Sequence, residues 1–107
     1  ESDSNLEKSV AYEAKLHDLI VRFRTELGAQ DVPFIVGQLG KFDGKPWTDA
    51  RYVVDKAHQD LPSKVAATAF VSADGLVDGG DKTHFDAESM RKFGLRYAAA
   101  YRKLIVE

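Results

Sequence analysis

The run Val32-Pro33-Phe34-Ile35-Val36-Gly37-Gln38-Leu39 is apolar almost without interruption. A strand with one wet face alternates polar and apolar residues. A strand covered on both faces does not, and parallel sheets are built from such strands. The proline stands near the start of the run, where a strand tolerates it. A second candidate is Lys64-Val65-Ala66-Ala67-Thr68-Ala69-Phe70-Val71, diluted by alanines.

Helical spacing fills the segments around these runs. A first helix is predicted from about Asn5 to Leu27, with Ser4 and Glu7 as a capping box and Gly28 as the stop. Its apolar stripe is Leu16, Leu19, Ile20, Phe23 and Leu27. A second helix, capped by Thr48 or Asp49, carries Ala50, Val53, Val54, Ala57 and Leu61 and should end at Pro62. A third, capped by Asp86, shows Met90, Phe93, Tyr97, Tyr101 and Leu104 on one face. Gly94 falls on that face too, which suggests close packing against a sheet. The order helix, strand, helix, strand, helix implies an α/β fold with a parallel sheet. Two parallel strands do not make a stable sheet alone, so further strands are expected on the N-terminal side.

Topology then gathers the loops. In an open parallel sheet the segments that follow strands and precede helices emerge at one rim, where ligands bind. Residues 1–4, 38–48 and 72–85 should share that rim. The last of these holds Asp81-Lys82-Thr83-His84-Phe85. A carboxylate three residues ahead of an imidazole suits acyl transfer, in which an aspartate holds a histidine in one tautomer and steadies its charge. The positive end of the following helix disfavours an imidazolium, so a base at His84 needs an opposing acid. Asp81 and Glu1 are the candidates. On spacing alone the plainer reading stands first: solvated loop residues, with Asp86 as a cap. No serine lies in a Gly-rich nucleophile turn, and there is no cysteine.

Bulk properties narrow the field. At 107 residues the chain is at most one small domain. Its net charge of −2 is mixed in sign, with no basic stripe for nucleic acid. Zero cysteines exclude a disulfide scaffold and thiolate zinc. No apolar run approaches the roughly 20 residues of a membrane span, so no membrane partner is expected. Glu1-Ser2-Asp3-Ser4 is not a signal peptide. The compartment stays open, leaning to secreted or periplasmic.

Asp81-Lys82-Thr83-His84-Phe85-Asp86, followed by Gly94-Leu95-Arg96-Tyr97-Ala98, resembles the C-terminal block of SGNH-type carbohydrate acetylesterases. The nearest groups are the sialate O-acetylesterase-like domains and the acetylxylan esterases of carbohydrate esterase family six. Glu1-Ser2-Asp3 is similar to the tail of their Gln-Gly-Glu-Ser block, and Pro33 to Leu39 to their central strand. The resemblance implies the C-terminal portion of a flavodoxin-like, three-layer domain. It implies removal of O-acetyl groups from carbohydrate with no metal or other cofactor. It maps the general base to His84, its paired aspartate to Asp81, and a further acid that steadies the histidine to Glu1. The nucleophilic serine and the oxyanion donors belong to earlier blocks. The expected partners are therefore an O-acetylated carbohydrate and the N-terminal half of the same domain, in some arrangements a second chain. The isolated chain should be inactive. Where relatives often show Arg-x-Ala-Gln on the middle helix, this chain has Asp55-Lys56-Ala57-His58, with Arg51 one turn earlier as a substitute for the arginine.

The remaining polar and aromatic residues read more plainly. His17 and His58 are expected on solvated helix faces. Trp47, in a rim loop, is a sugar platform or a buried anchor. Asp74, Asp78 and Asp81 miss the carboxylate spacing of a calcium loop. Tyr97 and Tyr101 are expected in the core. The rival functions are a non-catalytic carbohydrate-binding or interaction domain of the same architecture, and a phospholipid or thioester esterase.

Overall fold

The computed structural model describes residues 5–106. Its elements are helix α1 (Leu6–Leu27), strand β1 (Phe34–Gly37), helix α2 (Asp49–Lys64), strand β2 (Thr68–Val71) and helix α3 (Ala87–Val106). The strands pair in parallel, Phe34 opposite Thr68 through Gly37 opposite Val71. The fold is thus α/β, as the apolar run implies.

Side chains alternate across the strands and sort the helices into layers. Val36, with Phe34 and Phe70, packs against Leu16, Ile20 and Leu61 of α1 and α2. Ile35 and Val71 face Phe93, Tyr97 and Ala100 of α3. Ile20 and Leu61 are fully buried, each stabilising the fold by about 1.5–3 kcal/mol through removal from water.

The strands are shorter than the sequence suggests, and Arg24 shows why. Its buried guanidinium donates from Nε to the Val32 carbonyl (3.0 Å), from Nη1 to Ala66 (2.9 Å) and from Nη2 to Ala67 (2.9 Å). The fork takes the carbonyls of Val32 and Ala66 just before each strand, while that of Ala67 is shared with the Phe34 amide (3.0 Å). Ala67 also takes a left-handed backbone, φ 56°, which breaks extension.

The helix ends differ in detail. Asn5 caps α1 by accepting from the Lys8 amide (3.1 Å); the Ser4 half of the expected capping box lies outside the described residues. Gly28, at φ 65°, closes α1 as expected. Thr48 caps α2. Pro62 does not end α2: the helix runs on to Lys64, and the Val65 amide still reaches the Leu61 carbonyl (2.9 Å). Proline removes one amide from the ladder, and here the packing of Leu61 outweighs that loss.

Two stripes also shift. On α1, Leu16 and Ile20 are buried, but Leu19, Phe23 and Leu27 stand exposed on the adjoining flank. On α3 the inward line is Phe93, Tyr97, Ala100 and Leu104. Met90 and Tyr101 lie on its flank and are exposed, so Tyr101 is not core. Gly94 sits on that flank with nothing within 4 Å of an added Cβ, so it makes no close approach. The close approach is at Gly37, where a Cβ would run into the Tyr97 hydroxyl and the Phe93 ring edge. Among the described residues, no helix is long and apolar enough to cross a membrane.

Candidate functional site

The segment from Val77 to Asp86 folds back on itself. The Gly79 amide donates to the His84 carbonyl (3.0 Å), the Asp86 amide donates to Val77 (2.9 Å), and Asp78 bridges Phe85 antiparallel. The tip turns through two left-handed residues, Gly80 (φ 108°) and Lys82 (φ 60°). Asp78 supports the tip by accepting from the amides of Gly80 (3.1 Å) and Lys82 (2.7 Å).

Within this turn Asp81 and His84 meet. Asp81 Oδ1 accepts from the amides of Thr83 and His84, both at 2.9 Å, and Oδ2 lies 2.7 Å from His84 Nδ1. The His84 amide, then the His84 ring, then the Thr83 amide stabilise the ionised form and hold the Asp81 carboxyl well below its ordinary range. An ionised carboxylate only accepts hydrogen bonds, so Nδ1 carries the proton and the basic lone pair is on Nε2. The imidazole is largely exposed, 81% against 52% for the aspartate. Its Nε2 has no hydrogen-bond partner among the described residues. This is the chemistry of a base oriented by its neighbour and open to a proton donor.

The turn is anchored rather than loose. Phe85 packs edge-on against Phe42 (5.3 Å between centroids) and Phe93 (5.2 Å). Lys45 Nζ donates to Thr83 Oγ1 (2.9 Å) across the two rim loops. Asp86 caps α3 through the Ser89 amide (2.7 Å), and Ser89 Oγ accepts from the Val77 amide (2.8 Å). The Ser89 amide and hydroxyl hold the Asp86 carboxyl low.

None of the described serines serves His84. Ser9 and Ser63 donate to main-chain carbonyls one turn back, Ser72 bonds Gln38 and the Asp74 amide, and Ser89 holds Val77. Glu1, the other acid expected here, lies outside the described residues. No three metal-ligating side chains gather among the described residues.

Beside the turn the same rim is indented. One cleft of about 330 Å³ lies between the loops after β1 and β2, floored by Gln38 and Asp55. A second, of about 290 Å³, adjoins it and reaches Asp78. His84 lines neither. Gln38 donates to Asp55 Oδ1 (3.2 Å) and accepts from the Ala73 amide (2.8 Å), so it ties β1 to α2 and to the loop after β2. In the sequence Gln38 closes the apolar run and opens the rim segment 38–48, a single amide side chain with no role assigned to it. Trp47 is the anchor, not the platform: it is buried and donates to the Gly40 carbonyl (2.8 Å). His58 is not solvated. It is buried, its Nε2 lies 2.7 Å from Tyr12 Oη, and burial lowers its pKa against the opposing pull of Asp55. His17 is half-buried, with its Nε2 enclosed and unpartnered.

Residues 1–103 match the family described as carbohydrate esterase, sialic acid-specific acetylesterase. The chain belongs to this carbohydrate esterase family. The match takes in β1, both rim loops and nearly all of α3 of the esterase chain, so the Asp81–His84 turn and the clefts fall inside the family's own extent. No curated protein matches this carbohydrate esterase chain.

Proposed function

We propose that this chain supplies the base of a serine esterase that removes O-acetyl groups from carbohydrate. The observation that carries the proposal is the self-contained pair in one turn. Asp81 fixes His84 with the proton on Nδ1 and leaves Nε2 exposed at the rim. His84 Nε2 takes the proton of a seryl hydroxyl while that oxygen attacks the acetyl carbonyl. It then returns the proton to the departing sugar oxygen, leaving an acetyl-serine. Water, deprotonated by the same nitrogen, releases acetate. Donors to the carbonyl oxygen carry much of the rate effect. The serine and those donors come from a segment that completes the sheet in an SGNH-type arrangement.

Three features support such a segment. A two-stranded parallel sheet is below the size that stands alone. The backbone of Ile35 and Gly37 points away from β2, as the parallel ladder requires. Leu19, Phe23 and Leu27 offer an uncovered apolar flank.

The test is acetate release from O-acetylated saccharides by the completed protein, with and without His84→Ala. Loss of about three orders of magnitude or more in kcat is expected. An unchanged rate would leave the rival reading, a non-catalytic carbohydrate-binding domain. Preference for long-chain acyl esters would point instead to a lipid or thioester substrate.

A further inference from the structure

We infer that the tight turn Phe42-Asp43-Gly44-Lys45, in the loop after β1, is a splint that positions His84. It grips the residues on either side of the imidazole and so sets where the Asp81–His84 pair stands on the rim. The inference rests on reading His84 as the base of the esterase. Phe42 and Lys45 are positioning residues here, acting through the chain on either side of His84.

A base has two geometric requirements, and they are met in different places. Asp81 fixes the tautomer and orientation of the ring from within its own segment. It does not fix the distance to an alcohol carried on another segment. A displacement of about 1 Å at a reacting group can cost roughly a hundred-fold in rate. The His84 side chain cannot secure that distance itself, being 81% exposed and bonded through its ring to Asp81 alone among the described residues. The tip beside it bends through left-handed Gly80 and Lys82 and is open to water.

The loop after β1 supplies the missing constraint. The Lys45 amide donates to the Phe42 carbonyl (3.2 Å), closing a turn with Gly44 at φ 79°, a conformation glycine takes without strain. Three contacts leave this turn. The buried Phe42 ring stands edge-on to Phe85, 5.3 Å between centroids. Lys45 Nζ donates to Thr83 Oγ1 (2.9 Å). The Lys82 side chain lies against Gly44, its ammonium close enough to meet an added Cβ. The contacts fall on residues 82, 83 and 85 and skip 84. The chain around His84 is therefore held while its ring stays open to a proton donor.

The splint is itself tied to the sheet. The Phe42 ring folds over Gly40, where an added Cβ would run into it. Trp47 Nε1 donates to the Gly40 carbonyl (2.8 Å). Phe85 packs in turn on Phe93 of α3 (5.2 Å). Packed rings and hydrogen bonds thus run from the end of β1 and from α3 to both flanks of His84. Of these links, the Lys45–Thr83 bond is the exposed one, and removing it leaves the buried rings in place.

The test uses the native protein, with the segment that completes its sheet in place, and the variants Lys45→Met, Thr83→Val and the two combined. Methionine removes the donor, and valine removes the acceptor together with a longer contact from Thr83 Oγ1 to the Asp81 carbonyl (3.3 Å). Each single variant should lower kcat for acetate release by roughly five- to fifty-fold, with KM changed by less than about two-fold. The double variant should lose no more than Thr83→Val alone, because Lys45 acts through that bond. Lys45→Arg, which can still donate, should recover most of the rate. Backbone order parameters of residues 83–85, from nitrogen-15 relaxation, should fall from about 0.85 to roughly 0.6 in both single variants while those of α3 hold. Additive losses, a change carried by KM, or order and kcat unchanged in both single variants would overturn the splint; additivity would place Lys45 on the substrate instead. His84→Ala judges the hydrolase reading separately. Turnover that survives His84→Ala removes the base, and the order parameters still decide whether the turn is held this way. Turnover that needs His84 but ignores Lys45 and Thr83 keeps the base and loses the splint.

Discussion

Asp81 divides its work between two oxygens: one holds the main chain of the turn, the other holds the ring of His84. An asparagine could keep the first role through its carbonyl but would present an N–H₂ to the ring. Nδ1 would then have to accept, moving the proton to Nε2, the atom proposed to act as base. Asp81→Asn is therefore expected to lower kcat by roughly 10²–10⁴ with KM little changed, and amide chemical shifts of Thr83 and His84 should stay near those of the parent. A loss confined to KM would mean that the aspartate binds substrate instead. The pH behaviour follows from the same bonds. The folded carboxyl is held below its ordinary value of 3.8, so its support of the turn is complete above that value and fades only as pH falls toward the lower, folded one. Carbon-13 shifts of the Asp81 carboxyl should accordingly show no titration step between pH 4 and 7 (about the span of the ordinary carboxylate and neutrality).

At the scale of elements, Arg24 joins α1 to the starts of both strands, a role no periodicity could announce. Arg24→Ala strips three carbonyls of a charged donor inside the fold, and a loss of about 3 kcal/mol or more is expected in chemical denaturation. Arg24→Lys should recover only part of it, because an ammonium cannot reproduce the planar fork. The α1–α2 interface has its own pH signature. Burial lowers the His58 pKa from 6.5, so below that value the unfolded chain takes up a proton the folded chain refuses. Stability should decline as pH falls beneath about 6.5, and His58→Gln, which can still bond Tyr12, should flatten that decline in melting curves. Legibility at this scale tracks how local the cause is. Thr48, Gly28 and Asp86 act on neighbouring amides and were readable as caps. The reach of Arg24 to Ala66, the bond of His58 to Tyr12 and the close approach of Tyr97 to Gly37 all depend on residues tens of positions away. For the same reason the stripes of α1 and α3 were right in period but displaced in facing: spacing gives a face, and only packing tells which side of it is covered.

For the whole molecule, the alternation of helices and strands gave the parallel sheet, and Asp81 and His84 were legible as neighbours because both sit in one short segment, although spacing alone favoured plain loop residues. The clefts were not legible, since Gln38, just after β1, meets Tyr52 and Asp55 of α2 and the loop after β2 only in space. The exposed line of Leu19, Phe23 and Leu27 on α1 predicts how the isolated chain behaves. It should self-associate with rising concentration in sedimentation, release no acetate, and gain both a higher melting temperature and activity when the segment proposed to carry the serine is supplied. Deacetylation by the 107-residue chain alone, at the rate of a complete esterase, would refute the need for that segment. The hairpin around Asp81 has a wider consequence. Because Asp81 and His84 are carried on one peptide and pinned by its own amides, their mutual alignment is set within the turn itself. On the proposed reading, a change in the alcohol-bearing portion or in the leaving-group pocket would leave the orientation of the imidazole in place.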